Sequence, residues 1–275
     1  MAIRSAMDTP TWSEKMGNGS RFGVAAIAAL VLSAGCSTSD DANHASATPT
    51  RTNLELINSD VWSADQGVDL FSRGAELVRA TVESGDLTLF GGIDVAFPGY
   101  AAAFETPYDP GNYDIESTFY KKWETLPQQR RTEYLHITNY IADSHKVSAV
   151  VCRFYTRPEP ISGEESSAHT FCQGVALENS GSDAGTPGRR DESTENGTAD
   201  GGRVPAWNVF GTWRIKKIKF LGGDETPDSC FTWWSEKFPY LIRVGNRRFY
   251  EVAPGATMPP EPLAKHYPEW IGPPS

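Results

Sequence analysis

Hydrophobic positions change their spacing along this chain, and each change marks an element. Phe22–Ala34 (FGVAAIAALVLSA) is one unbroken apolar run. Residues 37–52 carry Ser, Thr, Asp, Ala, Asn and Pro without an apolar period. Val68, Phe71, Ala75, Val78 and Val82 then recur at steps of three and four. That spacing predicts an amphipathic helix from about Ala64 to Ser84, capped by Ser63 with Gln66 and stopped at Gly85. Gly91-Gly92 and Pro98-Gly99 break the chain. Short helices are expected at Tyr100–Glu105 and around Phe119, Tyr120 and Trp123, with a turn at Pro107, Pro110 and Gly111 between them.

From Thr132 the period becomes two. Leu135, Ile137 and Ile141 fall on one face, and Tyr134, His136, Thr138 and Tyr140 on the other. A turn at Asp143-Ser144 leads into Val147–Tyr155, rich in β-branched and aromatic residues. Further strands are expected at Thr170–Leu177 and Asn208–Phe220. Leu241–Val244 and Arg247–Val252 flank Gly245-Asn246, a two-residue hairpin signal. Helices followed by strands predict an α+β fold: N-terminal helices packed on a curved antiparallel sheet of five or more strands. We find no internal repeat.

Between the strands, residues 157–168 are short and acidic. Residues 179–205 hold Gly, Ser, Asp, Glu and Thr with almost no apolar side chain, a composition that predicts a disordered loop. Residues 253–275 carry seven of the 19 prolines, so an extended tail packed along the surface is expected there.

The apolar run Phe22–Ala34 is preceded by Arg21. It is too short to span a bilayer and suits the central region of a signal peptide. It ends Leu32-Ser33-Ala34-Gly35-Cys36 and is followed by the polar Ser37–Asp41. This resembles the lipobox of bacterial lipoproteins, with small residues before a Cys; the family prefers Leu where Ser33 stands. The resemblance, which covers residues 16–41, implies transfer of a diacylglycerol to the Cys36 sulfur, cleavage before Cys36 and acylation of the new amino terminus, palmitate among the acyl chains. The expected layout is a signal peptide over 1–35 (Met16 being an alternative start), a lipidated Cys and flexible tether over 36–55, and one α+β domain over 56–275. The protein would then sit on the extracytoplasmic face of the cell membrane, held by its lipid anchor.

Composition narrows the partners. Among 275 residues, 39% are hydrophobic and 11% aromatic, as in a folded protein. The net charge is −10, and since Arg4, Lys15 and Arg21 outnumber Asp8 and Glu14, the part after residue 35 is more acidic still. Such a surface repels phosphate backbones, which excludes nucleic acid as the expected partner.

The order helix then sheet, with the strand Trp213-Arg214-Ile215, resembles the nuclear-transport-factor-like cone fold over about residues 62–221. That resemblance implies a pocket inside a curved sheet; the family includes cyclases, isomerases and dehydratases as well as non-enzymatic envelope proteins. Residues 222–275 have no counterpart in the minimal fold.

Candidate chemistry is sparse. Three cysteines follow Cys36, and outside the membrane close pairs oxidise. Cys152 and Cys172, on neighbouring predicted strands, are the first-choice disulfide; Cys172–Cys230 is the alternative, and the remaining thiol is expected to be buried and inert. No CxxC supports a metal site. His136 shares its face with Tyr134, Thr138 and Tyr140. On a concave side these would line a polar, aromatic pocket in which His136 acts as a base; on a convex side they would meet only solvent. His44 and His266 lie in the tether and tail, and His145 and His169 in the strand region. Asp94, Asp109 and Asp114 suit turns better than a pocket. Of the adjacent Trp233 and Trp234, at least one would be exposed on a strand and free to stack on sugar rings. The chain has no GxSxG, HExxH, P-loop, GxGxxG or calcium loop, so no catalytic residue, metal or cofactor is expected. The leading expectation is a non-enzymatic module binding an envelope protein or a small apolar ligand. The alternatives are a pocketed small-molecule enzyme or lipid carrier, and a wall-polysaccharide binder.

Overall fold

A computed structural model describes residues 58–104, 114, 115, 119, 131–156, 168–192, 202–243, 250–256 and 263–273. Cys36, the leader, the tether, Gly245-Asn246 and Asp109 lie outside the described residues. The element order is β1 (Asn58–Ala64), α1 (Arg73–Gly91), α2 (Tyr100–Ala103), β2 (Arg131–Ala142), β3 (Lys146–Thr156), β4 (Ala168–Asn179), β5 (Trp213–Leu221), α3 (Asp228–Lys237), β6 (Leu241–Arg243) and β7 (Tyr250–Val252). The fold is α+β, around an open, curved 5-stranded sheet in the order β1-β2-β3-β4-β5. It is mixed rather than purely antiparallel: β1 runs parallel to β2, and β2 to β5 alternate. Strands β6 and β7 pair antiparallel as a separate two-stranded ribbon, but Arg243 faces Tyr250, two residues out of the register that a turn at Gly245-Asn246 would give.

The start of the long helix differs from expectation. Ser63 belongs to β1, and the cap is Ser72, whose Oγ accepts from the Ala75 amide at 3.4 Å. Stepping of apolar residues cannot separate a short strand from the helix that follows it. Nor does Gly85 end α1, which continues to Gly91 and turns out at Gly92, where φ is 82°. Gly85 is a point of close approach instead: a Cβ there would lie 2.9 Å from the Phe119 ring.

Helix α1 is buried on nearly every side from Gly74 to Gly85, including Glu76, Arg79 and Glu83. One side packs on the sheet through Leu77, Val78 and Val82 with Leu135, Ile137 and Val151. The other is covered by chain expected to be loose. Gly188 N–H donates to Glu76 at 2.7 Å, and Arg73 donates to the Ala184 carbonyl at 2.9 Å. Isolated bridges tie Arg189 to Ile271 and Gly202 to Trp270. Within 179–205, expected to be a disordered loop, residues 179–192 and 202–205 are held by backbone hydrogen bonds and buried anchors in place of apolar side chains; 193–201 lie outside the described residues. Tail residues 263–273 run along β1, where Tyr267 N donates to Asp60 O and Trp62 N to Tyr267 O, both at 2.9 Å, and they bury Trp270 and Ile271 rather than lying on the surface.

The second face of the sheet carries α3, whose Cys230, Phe231, Trp233 and Trp234 are buried against Phe154 and Leu221 with Phe238, Leu241 and Tyr250. Trp234 donates to the Arg153 carbonyl at 3.1 Å. No helix among the described residues is long and apolar enough to cross a membrane.

Candidate functional site

Alternation along β2 sends Tyr134, His136 and Thr138 to the α3 side and Glu133, Leu135 and Ile137 to the α1 side. A bulge follows: register passes from Thr138↔Val150 to Ile141↔Ser148, with Asn139 at φ 50°. One extra residue inverts the faces beyond it. Tyr140 therefore turns to the α1 side, where its hydroxyl lies 3.2 Å from Ser72 Oγ, and Ile141 points outward, 70% exposed. The four residues expected to line one pocket are thus split, and no strict period of two could have foreseen it.

The three that remain together are engaged by neighbouring side chains. Tyr134 packs on Phe154 and Phe238. The His136 ring stacks on Trp233, centroids 5.0 Å apart. Its Nδ1 is 2.9 Å from Ser63 Oγ and its Nε2 is 3.0 Å from Asp65 Oδ1, while Thr138 donates to Asp65 Oδ2 at 2.6 Å. Burial holds the His136 pKa below its ordinary value, with Asp65 partly offsetting it. Burial raises the Asp65 carboxyl, but hydrogen bonds from Thr138 and His136 outweigh that and keep it below normal. Ser63 and Asp65 had no signal in the sequence, because the parallel pairing of β1 with β2 supplies them. Ser, His and Asp meet here as a clasp between the two strands, and the indole of Trp233 covers the imidazole.

Trp233 and Trp234 correct the sugar-stacking expectation. They lie on a helix, not a strand, and are 9% and 1% exposed. Neither offers a face to a ring from solvent.

The disulfide also differs. Cys152 is bonded to Cys230, and Cys172 is free and buried. Cys152 and Cys172 do sit opposite each other in the β3–β4 register, as the sequence implied. The alternative Cys172–Cys230 pair is likewise not formed. Helix α3 instead places Cys230 over Cys152, at a Cα separation of 5.3 Å. Burial pushes the Cys172 thiol up to about 12, Thr226 offsetting only part, so it stays protonated near neutral pH.

Ionisable groups collect on the opposite face, between α1 and the sheet. Arg153, 2% exposed, is the hub. Its Nε donates to Glu133 Oε1 at 2.7 Å, Nη1 to Gln173 at 2.8 Å and Nη2 to Asp86 at 2.6 Å. One α1 turn away, Glu83 accepts from both Trp62 and Trp270 indoles, at 2.8 and 2.7 Å. Burial raises the Glu83 carboxyl to about 7 against the pull of Arg79 and the two indoles. Burial raises Asp86 to about 6, offset in part by Arg153. Asp60 on β1 is raised well above the carboxylate range by burial and by its neighbours Glu83, Glu133 and Asp86. For Arg153, burial disfavours the charge, but Asp86 and Glu133 more than restore it. Beside the cluster, burial lowers His266 to about 3, aided by Arg203 and Arg79.

Polar atoms within this layer lack hydrogen-bond partners among the described residues: Gln173 Nε2, the Nε and Nη1 of Arg79, and Glu133 Oε2, which has only the Arg131 guanidinium at 3.8 Å. Arg79 lies over the Trp270 ring at 4.4 Å and faces a cleft with Glu76, Gly188 and Glu269. This layer is the candidate site: carboxyls raised by burial, as Glu83 and Asp86 are, can hold a proton or pair with a polar ligand. The sequence hid it, since Asp60, Glu83, Asp86, Glu133 and Arg153 are scattered over two strands, a helix and a distant third strand. Asp94, by contrast, sits in a single 3-10 turn after α1.

Among the described residues, one group has ligating atoms near enough to share an ion: Cys152, Cys172 and Cys230, with their sulfurs within 4.8 Å of one another. No family model, no curated protein and no solved structure matches this chain.

Proposed function

We propose that the chain is an exported lipoprotein, anchored through Cys36 to the extracytoplasmic face of the membrane, whose folded part is a ligand- or protein-binding module. The observation that carries this reading is the run Phe22–Gly35 ending at Cys36 and followed by a polar tether. The buried Cys152–Cys230 bond supports it, because structural disulfides persist in oxidising compartments outside the cytoplasm. The clasp at His136 supports binding over catalysis: the imidazole is spent on joining strands and shielded by Trp233.

The module engages an envelope protein or a small ligand. A pocketed enzyme or carrier is the second reading, and the buried acids around Arg153 favour it with a changed location. On that reading the ligand would be met on the α1 side of the sheet rather than on the face of Tyr134 and His136.

The test is the distribution of the full chain between membrane and soluble fractions, with and without Cys36→Ala. The wild-type chain partitions into detergent and the variant is released. Equal partitioning of the two removes the anchor.

A further inference from the structure

We propose that, once its disulfide is reduced, the protein binds one trivalent thiophilic metalloid, arsenite or antimonite, through Cys152, Cys172 and Cys230. Three separate elements bring these thiols together. Strand register sets Cys152 opposite Cys172, and α3 lays Cys230 over them. All three are 0% exposed, with sulfurs within 4.8 Å of one another. Thiolates sharing one centre stand on the order of 4 Å apart, given a metal–sulfur bond of ~2.3 Å. Opening the disulfide lets its two sulfurs relax toward that spacing.

Charge selects the ion. The surroundings are Phe154, Leu221, Phe231 and Trp234, an apolar shell in which a net charge is costly. Three thiolates around a monovalent ion leave two negative charges, and around a divalent ion one. Around a trivalent centre they leave none. Zn(II) also prefers four ligands, and no described His, Asp or Glu joins the group. A pyramidal trivalent centre needs only three.

The steps balance. A dithiol reductant gives two electrons and two protons to the Cys152–Cys230 bond and becomes a disulfide itself. Arsenous acid then exchanges its three As–O bonds for three As–S bonds. Each thiol passes its proton to a departing hydroxyl group, three waters leave, and arsenic keeps its oxidation state. Because the thiols enter protonated and the product is neutral, the high thiol pKa of Cys172 is no thermodynamic obstacle.

The experiment uses the full chain carrying Cys36→Ala, so that only the clustered thiols remain. It is reduced with a phosphine and titrated anaerobically with arsenite, and native mass spectrometry counts bound arsenic. The expected result is one arsenic, less three hydrogens, per reduced chain, and none on the oxidised chain. Cys172→Ser, which leaves the native disulfide pair intact, binds about tenfold or more weakly when reduced, since one of three ligands is gone. The urea-unfolded reduced chain sets the baseline for thiols that are not preorganised, and the folded chain binds more tightly than it. Equal affinity of wild type and Cys172→Ser, equal affinity of folded and unfolded chains, or tighter binding of Zn(II) or Cu(I) than of arsenite each overturns the proposal.

Discussion

The two faces of the sheet are joined by the same five strands and held by opposite chemistry. On the α3 side, apolar and aromatic contacts surround one disulfide, and the charged groups there sit at its edge: the clasped His136–Asp65 pair, Lys237 over the Tyr134 ring and Arg243 over the Phe231 ring. On the α1 side, Asp60, Glu83, Asp86 and Glu133 share Arg79 and Arg153 inside the protein. A hydrophobic face tolerates loss of a contact in proportion to the area removed. A buried ionic face does not, because removing one partner strands the others.

The largest expected effect follows from this. Arg153→Met strips Glu133 and Asp86 of their hydrogen-bonded cation, leaving them only the more distant Arg131, and costs about 3–5 kcal/mol of stability, read by urea denaturation. A loss below about 1 kcal/mol would mean that solvent already reaches the cluster. Next comes the other face. Cys230→Ala opens a loop of sequence separation 78 and costs about 2–4 kcal/mol. The same cost from Cys172→Ala would contradict the pairing, since that thiol is free.

Acidity separates the faces further. The Glu83 pKa is raised to about 7, so its contribution to stability is fully present below its ordinary value and is lost as pH rises through about 7. His266, lowered to about 3, acts in the opposite sense: its contribution is lost as pH falls below the usual histidine range. Raw melting curves therefore mix the two. The difference between wild type and Glu83→Gln isolates the first, and the variant should gain on wild type steadily between about pH 5 and pH 8. A flat difference would place Glu83 in contact with water. For Gly85→Ala, crowding against Phe119 and Ile218 costs about 1–3 kcal/mol despite the better helix propensity, measured by thermal unfolding. Smallest of all, Asn139→Gly relieves the positive φ at the bulge and stabilises by a few tenths to about 1 kcal/mol.

Legibility in the sequence followed the same division. Strands β2 to β4 were readable, because alternation and turn residues such as Asp143 are local; its carboxylate takes the amides of His145 and Lys146 at 2.7 and 2.8 Å. The apolar stripe of α1 was readable, but its start was not, because β1 joins the sheet only through a long-range parallel pairing with β2. The pocket assignment failed at one residue, Asn139, whose bulge reverses the side chains after it. The disulfide partner was missed because helix docking, not strand adjacency, decides it. The carboxylate cluster was invisible, since each member alone reads as an ordinary surface charge until α1 and the tail close over it.

Export, anchoring and the bond between the sheet and α3 meet in one measurement: unreduced peptide mapping of the chain recovered from the membrane fraction, with free thiols alkylated first. The account predicts a chain that begins at an acylated Cys36, a linked Cys152–Cys230 peptide, and Cys172 alkylated only after denaturation. An unmodified Cys36 peptide still joined to its leader, together with Cys152 and Cys230 recovered as free thiols, would contradict it.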